Sequence, residues 1–190
     1  MNITLPTTKE LENELNRIKY KDKYKRLFRS TIYALLIVVS FSVLLATYLF
    51  PVLQIYGNSM KPTLSNGEIV VSIKSDNLEN GDVIAFYYNN KILIKRIIAL
   101  SNQWVNIDEY GNVYVNNKLI DEPYIKNKSL GNSNIEYPYQ VKEDTYFVLG
   151  DERELSIDSR NTTIGTISKE QILGKVIFRV WPLNNISLIK

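Results

Sequence analysis

The chain has 190 residues, 45% of them hydrophobic, which is enough for one modest globular core with something beside it. Cysteine and histidine are both absent, which excludes disulfides, thiol nucleophiles, zinc–thiolate and His-ligated metal sites, and every hydrolase built on a histidine base. Acid–base chemistry is left to Lys, Asp, Glu or Tyr, with no metal and no cofactor expected. The net charge of +3 is unevenly spread: residues 1–29 hold eight Lys/Arg against four acids, leaving 15 basic and 16 acidic residues beyond them. The main body is therefore near neutral and offers no nucleic-acid surface.

No charged side chain occurs from Ser30 to Met60, and residues 31–50 read TIYALLIVVSFSVLLATYLF. Twenty mostly apolar residues make roughly 30 Å of helix, the thickness of a bilayer's hydrocarbon core. Tyr33 and Tyr48 lie near its ends, where aromatic rings favour the interface, and Pro51 stops it. A buried core helix would show a polar face. A cleaved leader would have a shorter apolar run and small residues at its end, whereas this one ends Tyr48-Leu49-Phe50. The sequence thus divides into a basic cytoplasmic tail (1–29), a transmembrane helix (30–50) and an extracytoplasmic domain (51–190), oriented by the basic flank. Residues 9–29 read equally well as a surface helix or a solvated tail.

After Pro51 come short alternating runs rich in Val, Ile and Tyr, broken by Gly, Asn and Asp turns, which predicts an all-β domain. Strands are expected at 67–75, 82–88 and 91–100, the last two flanking an Asn89-Asn90 hairpin turn. WVNIDEY, NVYVNNK and LIDEPYI continue the meander, with turns at Gly111 and Asn116-Asn117, and 145–150 and 174–183 supply the last strong strands. SKEQIL before Gly174 suits one helical turn. The expected fold is a compact multi-stranded β-sandwich or barrel behind a single N-terminal membrane helix.

Three segments carry more polar and glycine structure than a β core requires. The first, GNSMKPTL at 57–64, sets a glycine two positions before Ser59, where the backbone can turn sharply and bring amides near whatever the hydroxyl attacks. In isolation it is an ordinary turn. In the second, LIKRIIA at 93–99, period two puts Lys95 with Leu93, Ile97 and Ala99, and Arg96 with Ile94 and Ile98, so one of the two cations is expected to be desolvated. In isolation it is a sheet with one wet face and a snorkelling cation. A lysine facing a serine would need that burial: at the ordinary pKa of about 10.4 only about one amine in 2,500 is neutral at pH 7, and a depression of roughly 2 to 3 units makes a usable base. Serine needs such a partner to become nucleophilic. The third, GDERELSIDSR at 150–160, interleaves acids and arginines and suits a salt-bridged loop, or in isolation a solvated one.

Taken in this order, GNSMKPTL, GDVIAF (81–86), IKRIIAL, GDERELSIDSR and ILGKVIFRVWPL resemble the boxes of bacterial type I signal peptidases, membrane-anchored Ser-Lys proteases, over most of the chain from Tyr56 to Leu183. The resemblance implies that Ser59 is the nucleophile and Lys95 the general base, with Gly57 and the Ser59 amide at the oxyanion hole. It implies that Ser156 orients Lys95 through a hydrogen bond, that Asp158 and Arg160 pair to hold the loop with Asp151 in support, and that Met60 shapes the site. The absent histidine agrees with the lysine-using branch of the family. Three positions depart from the family pattern: Ser101-Asn102-Gln103 replaces the usual Pro-Gly-Asp after the lysine box, Glu152 replaces an asparagine, and Gly57 stands where some relatives have serine.

The implied activity is removal of signal peptides with small residues before the scissile bond, from secretory preproteins at the surface of membrane lipid, and the three departures leave open a dedicated client such as a pilin precursor. Ser59 lies nine residues beyond Phe50, so extended chain keeps it within roughly 30 Å of the membrane. A membrane-tethered assembly chaperone that binds without cutting is the alternative, suggested by the altered turn after Leu100. A Ser-Lys self-cleaving regulator fits less well, because no DNA-binding segment accompanies the anchor.

Overall fold

A computed structural model describes residues 7–189. The chain divides into two compact units, Met1–Thr47 and Tyr48–Lys190. Among the described residues the first consists of the helix α1 (Thr8–Leu49, 42 residues), which ends two residues into the second unit and has no buried side chain. The Thr7 N–H and hydroxyl both donate to Glu10 Oε2 at 2.9 Å, closing its first turn. The Thr31 and Thr47 hydroxyls donate back to the carbonyls of Leu27 and Val43 at 3.0 Å, so neither presents an unsatisfied polar group to an apolar surrounding. Its most apolar 18-residue window has a mean hydropathy of 2.3, long and apolar enough to cross a membrane. The basic stretch at 9–29 is helical and continuous with that window.

The second unit contains β1 (Val52–Gln54), β2 (Ile69–Ile73), β3 (Val83–Tyr88), β4 (Lys91–Ala99), β5 (Trp104–Ile107), β6 (Val113–Val115), β7 (Lys118–Leu119), β8 (Tyr139–Gln140), β9 (Thr145–Leu149), β10 (Ile167–Ser168), β11 (Ile172–Trp181) and β12 (Ser187–Leu188). They form an eight-stranded sheet in the order β1-β2-β11-β3-β4-β9-β10, with β12 on β11, and a four-stranded sheet β7-β6-β5-β8. A mainly β domain behind an apolar N-terminal helix is the fold class expected from the sequence. The predicted hairpins form where asparagines adopt the left-handed backbone: Asn89 and Asn90 (φ 43° and 60°) join β3 to β4, and Asn116 and Asn117 (φ 51° and 63°) join β6 to β7. The turn at 169–171 is a 3-10 helix.

Two expectations change. Of the LIDEPYI run only Leu119 is in a strand, paired through β7, and Ile120–Ile125 is irregular, because Pro123 cannot donate to a ladder. Strand β1 directly follows Pro51, and β8, β10 and β12 also arise; runs of two or three residues are too short to show a period.

Strand β4 contributes to all three apolar clusters of the domain. Ile98 and Ala99 pack with Val105, Val113 and Phe147, Ile94 packs against Ile55, Met60 and Leu64, and Ile97 packs with Ile84, Phe86 and Val148. Both faces of the strand are therefore covered. Lys95 is 4% and Arg96 1% exposed, so both cations are desolvated where period two predicted one.

Candidate active site

Ser59 sits in a turn pinned from beneath. The neighbouring Met60 and Leu64 are buried in one apolar cluster, and the Leu64 N–H donates to the Met60 carbonyl at 2.8 Å, closing a turn directly after the serine. Gly57 takes φ +90°, a backbone that side-chain-bearing residues rarely adopt, and lets the chain enter this turn sharply. Across from it, β4 is held by β3, with Lys95 opposite Ile84. The two elements bring Lys95 Nζ to 2.7 Å from Ser59 Oγ, although the residues are 36 positions apart. Burial lowers the Lys95 amine to about 8 against the pull of Asp158 and Asp151, with Arg160 adding to the lowering. At that value about one amine in ten is neutral at pH 7.

The third segment lies directly against this pair. The Glu152 N–H donates to the Ser59 carbonyl at 3.1 Å. Gly150 leaves no room for a side chain, since a Cβ there would stand 2.5 Å from the Ser59 carbonyl oxygen and 2.2 Å from Ser156 Oγ. Four of its charges face inward and its apolar side chains outward: Asp151, Arg153, Asp158 and Arg160 are each at most 1% exposed, while Leu155 and Ile157 are 69% and 55% exposed, and Glu154 is exposed beside them. The loop is thus neither solvated nor conventionally packed.

Ionic pairs hold that inversion in place. Asp158 accepts from Arg160 Nε and Nη2 at 2.8 Å and from the Gly150 N–H at 3.0 Å. Asp151 accepts from Arg96 Nε at 2.9 Å and Nη2 at 2.7 Å, and from the Thr63 hydroxyl. Arg96, the residue after the lysine, also donates to the Gly81 carbonyl at 2.7 Å. These fork-to-fork pairs satisfy the groups that burial strips of water.

Two implied contacts do not form as expected. Ser156 is buried beside Gly150, but its hydroxyl has no hydrogen-bond partner among the described residues, so no bond runs from it to Lys95. The Gly57 N–H, at the residue expected at the oxyanion hole, donates to Asn66 Oδ1 at 2.9 Å. Sequence reading passed over Thr63, Glu122 and Tyr124, and gave Arg153 only as one charge of the third segment; all four are tied to this network. In the turn after Leu100, Asn102 supplies a left-handed backbone (φ 66°), and Gln103 Oε1 accepts the Leu100 N–H at 2.7 Å.

A cavity of about 640 Å³ opens beside Ser59 and Lys95, lined by β1, by Tyr56 to Met60, and by the first half of β4. Among the described residues no His/Cys/Asp/Glu group could hold a metal ion.

A serine against a buried amine beside a cavity, on a β domain with an apolar helix before it, has the chemistry of a lysine-assisted serine hydrolase. The family model described as signal peptidase, peptidase S26, matches residues 27–181, and the chain belongs to that family. It is 40% identical over 153 residues to signal peptidase IB of Staphylococcus aureus (strain COL), covering 68% of this chain and 77% of that protein. It is 34% identical over 169 residues to signal peptidase I of Bacillus amyloliquefaciens, covering 83% and 90%. A crystal structure of a signal peptidase I from Enterococcus faecalis V583 aligns with a TM-score of 0.43 and 26% identity, over 53% of this chain and 97% of that one. The chain is a membrane-anchored serine endopeptidase, and nothing in the comparisons supports the non-cleaving chaperone.

Proposed function

We propose that this endopeptidase removes signal peptides from exported preproteins, with Ser59 as nucleophile and Lys95 as general base. The observation that carries the reading is the 2.7 Å approach of Nζ to Oγ at a lysine only 4% exposed. Neutral Lys95 takes the Ser59 proton as Oγ attacks the scissile carbonyl, and the Ser59 N–H stabilises the oxyanion. The resulting ammonium donates its proton to the departing amine, leaving an ester on Ser59. Lys95, neutral again, takes a proton from the water that attacks this ester, and collapse restores the hydroxyl.

Substrate binding follows from two strands. Among the described residues β1 pairs only with β2, and the pairing of β4 with β9 covers Arg96 to Ala99 and spares Lys91 to Ile94. Both stretches line the cavity, so an extended peptide adds between them as a strand and delivers its scissile bond to Ser59. Met60 and the apolar residues of β1 and β4 then meet the small side chains that precede the junction.

The basic segment stays in the cytoplasm and the domain from residue 51 onward lies outside, where a signal peptide left in the membrane presents its junction. At about 100° per residue, Tyr20, Tyr24, Leu27 and Phe28 fall on one side of α1, and Lys19, Lys21, Lys23, Lys25, Arg26 and Arg29 cover the rest, a distribution suited to anionic lipid headgroups.

The full chain in lipid vesicles is tested on a panel of precursors, pilin precursors included, with small residues before the junction, and the products are read by mass spectrometry. The wild type cuts at the small-residue junction. Undiminished cleavage by Ser59→Ala overturns the reading. The pH profile offers a second check. The free amine is the active form, so kcat/KM falls about tenfold for each unit below an apparent pKa near 8 and levels off above it. A profile flat from pH 6 to 9 contradicts a lysine base.

A further inference from the structure

The third buried arginine of the site has its carboxylate in a distant part of the chain. Arg153 Nη1 donates to Glu122 Oε2 at 3.2 Å, Nη2 donates to Oε1, and both side chains are at most 1% exposed. Arg153 Nε donates to the Gly150 carbonyl at 3.1 Å, so the guanidinium that grips Glu122 also grips the glycine packed against Ser59. The same Glu122 Oε1 accepts from the Tyr124 hydroxyl at 3.0 Å. The Tyr124 ring lies 3.9 Å from the Arg96 guanidinium, on the residue that follows Lys95 and holds Asp151. Nearby, Arg160 Nη1 donates to the Leu130 carbonyl at 2.9 Å, and the Asn134 N–H donates to the Arg160 carbonyl at 3.0 Å. The irregular stretch after β7 therefore reaches both arms of the site, the loop at 150–160 and the strand that carries the lysine.

We propose that Glu122, acting with Tyr124, is a positioning residue for peptide cleavage: one carboxylate clamps Arg153 on the Ser59-contacting loop and, through the tyrosine, the Arg96–Asp151 pair beside Lys95. Glu122 lies 27 positions beyond Lys95 in sequence and touches neither Ser59 nor Lys95. It acts through the carbonyl of Gly150 and the ring on Arg96. Buried guanidiniums need a carboxylate in place, so loss of this one leaves Arg153 to seek another acceptor and shifts the loop that it holds. Displacements of about 1 Å at a reacting pair cost up to about a hundredfold in rate.

This inference rests on the Ser59–Lys95 reading, which the Ser59→Ala control tests separately. The full chain in vesicles is assayed with a quenched-fluorescent precursor peptide, and kcat is normalised to the folded fraction read from near-ultraviolet circular dichroism. Glu122→Gln keeps the volume and an acceptor for Tyr124 but removes the charge, and is expected to lower normalised kcat by about ten- to a hundredfold with KM within about threefold. Glu122→Asp keeps the charge but cannot span both partners, and Tyr124→Phe keeps the ring but frees the carboxylate; each is expected to fall between the wild type and Glu122→Gln. If Glu122→Gln does not fold, the other two decide by the same measure. Normalised kcat within twofold of wild type in the folded variants overturns the proposal. So does a loss confined to folded fraction, or one confined to KM. Cleavage by Ser59→Ala instead discards the underlying dyad.

Discussion

Lys95→Met is expected to lower kcat by roughly 10⁴-fold or more while making the β domain more stable. The amine serves the chemical steps and is not needed to hold the peptide between β1 and β4, so KM should move little. Stability moves the other way because the lysine is an expensive residue where it stands. Its folded value of about 8 lies below the ordinary 10.5, so below pH 8 the folded chain carries an ammonium in dry surroundings. That costs roughly 3 kcal/mol relative to the unfolded chain. Between about 8 and 10.5 the unfolded chain binds a proton that the folded chain lacks, so wild-type stability rises with pH across that window. Methionine fills similar space with no charge. Denaturant titrations should therefore show the variant ahead by up to about 3 kcal/mol below pH 8, with the gap closing by pH 10.5. A gap that is constant with pH, or a variant that still cuts, is incompatible with a buried amine acting as base.

The proposed nucleophile and base came from the resemblance to a known family, because the local patterns, a glycine-led turn around Ser59 and two cations inside an apolar run at Lys95, each read as ordinary in isolation. The anchor was legible from length alone. What made the lysine neutral enough to act was only half visible. Alternation assigns Lys95 and Arg96 to opposite faces, but a strand that feeds three apolar clusters has no wet face, and that is a property of the packing.

Glu122 was hidden for a different reason. It sits in an apolar run that reads as strand, 31 positions from its arginine, and a single sequence records no such distance. One arithmetical signal was present. Arg96, Arg153 and Arg160 are all in or next to the predicted site, while Asp151 and Asp158 supply only two of the carboxylates that three buried guanidiniums require. A third had to come from elsewhere, and the Asp121-Glu122 pair between apolar residues and a proline was a reasonable place to look. The bond from the Gly57 N–H to Asn66 had no such signal, because Asn66 lies nine positions away in an ordinary turn.

Asp158→Ala is expected to lower the melting temperature of the domain by roughly 10–20 °C, the largest stability change of any single site residue. The aspartate accepts two bonds from the Arg160 side chain and one from the Gly150 N–H, and both partners of the ion pair are at most 1% exposed. Alanine leaves a guanidinium buried without its counter-charge, a loss of about 3–5 kcal/mol. Arg160 cannot escape to water, because it is also tied to the carbonyls of Leu130 and Arg153 at 2.9 and 2.7 Å. Asp158→Asn keeps an acceptor for Gly150 and should melt between the two. An exposed pair supplies the contrast: Asp76, 3.3 Å from Lys169 and largely in solvent, should tolerate alanine within about 2 °C. The charge also reaches the lysine, since Asp158 is the foremost of the groups that hold its amine up. Removing the carboxylate should therefore move the acid limb of the pH profile to lower pH in both Asp158 variants, whatever fraction of each is folded. A limb that stays near pH 8 would show that Asp158 braces the loop without acting on the amine.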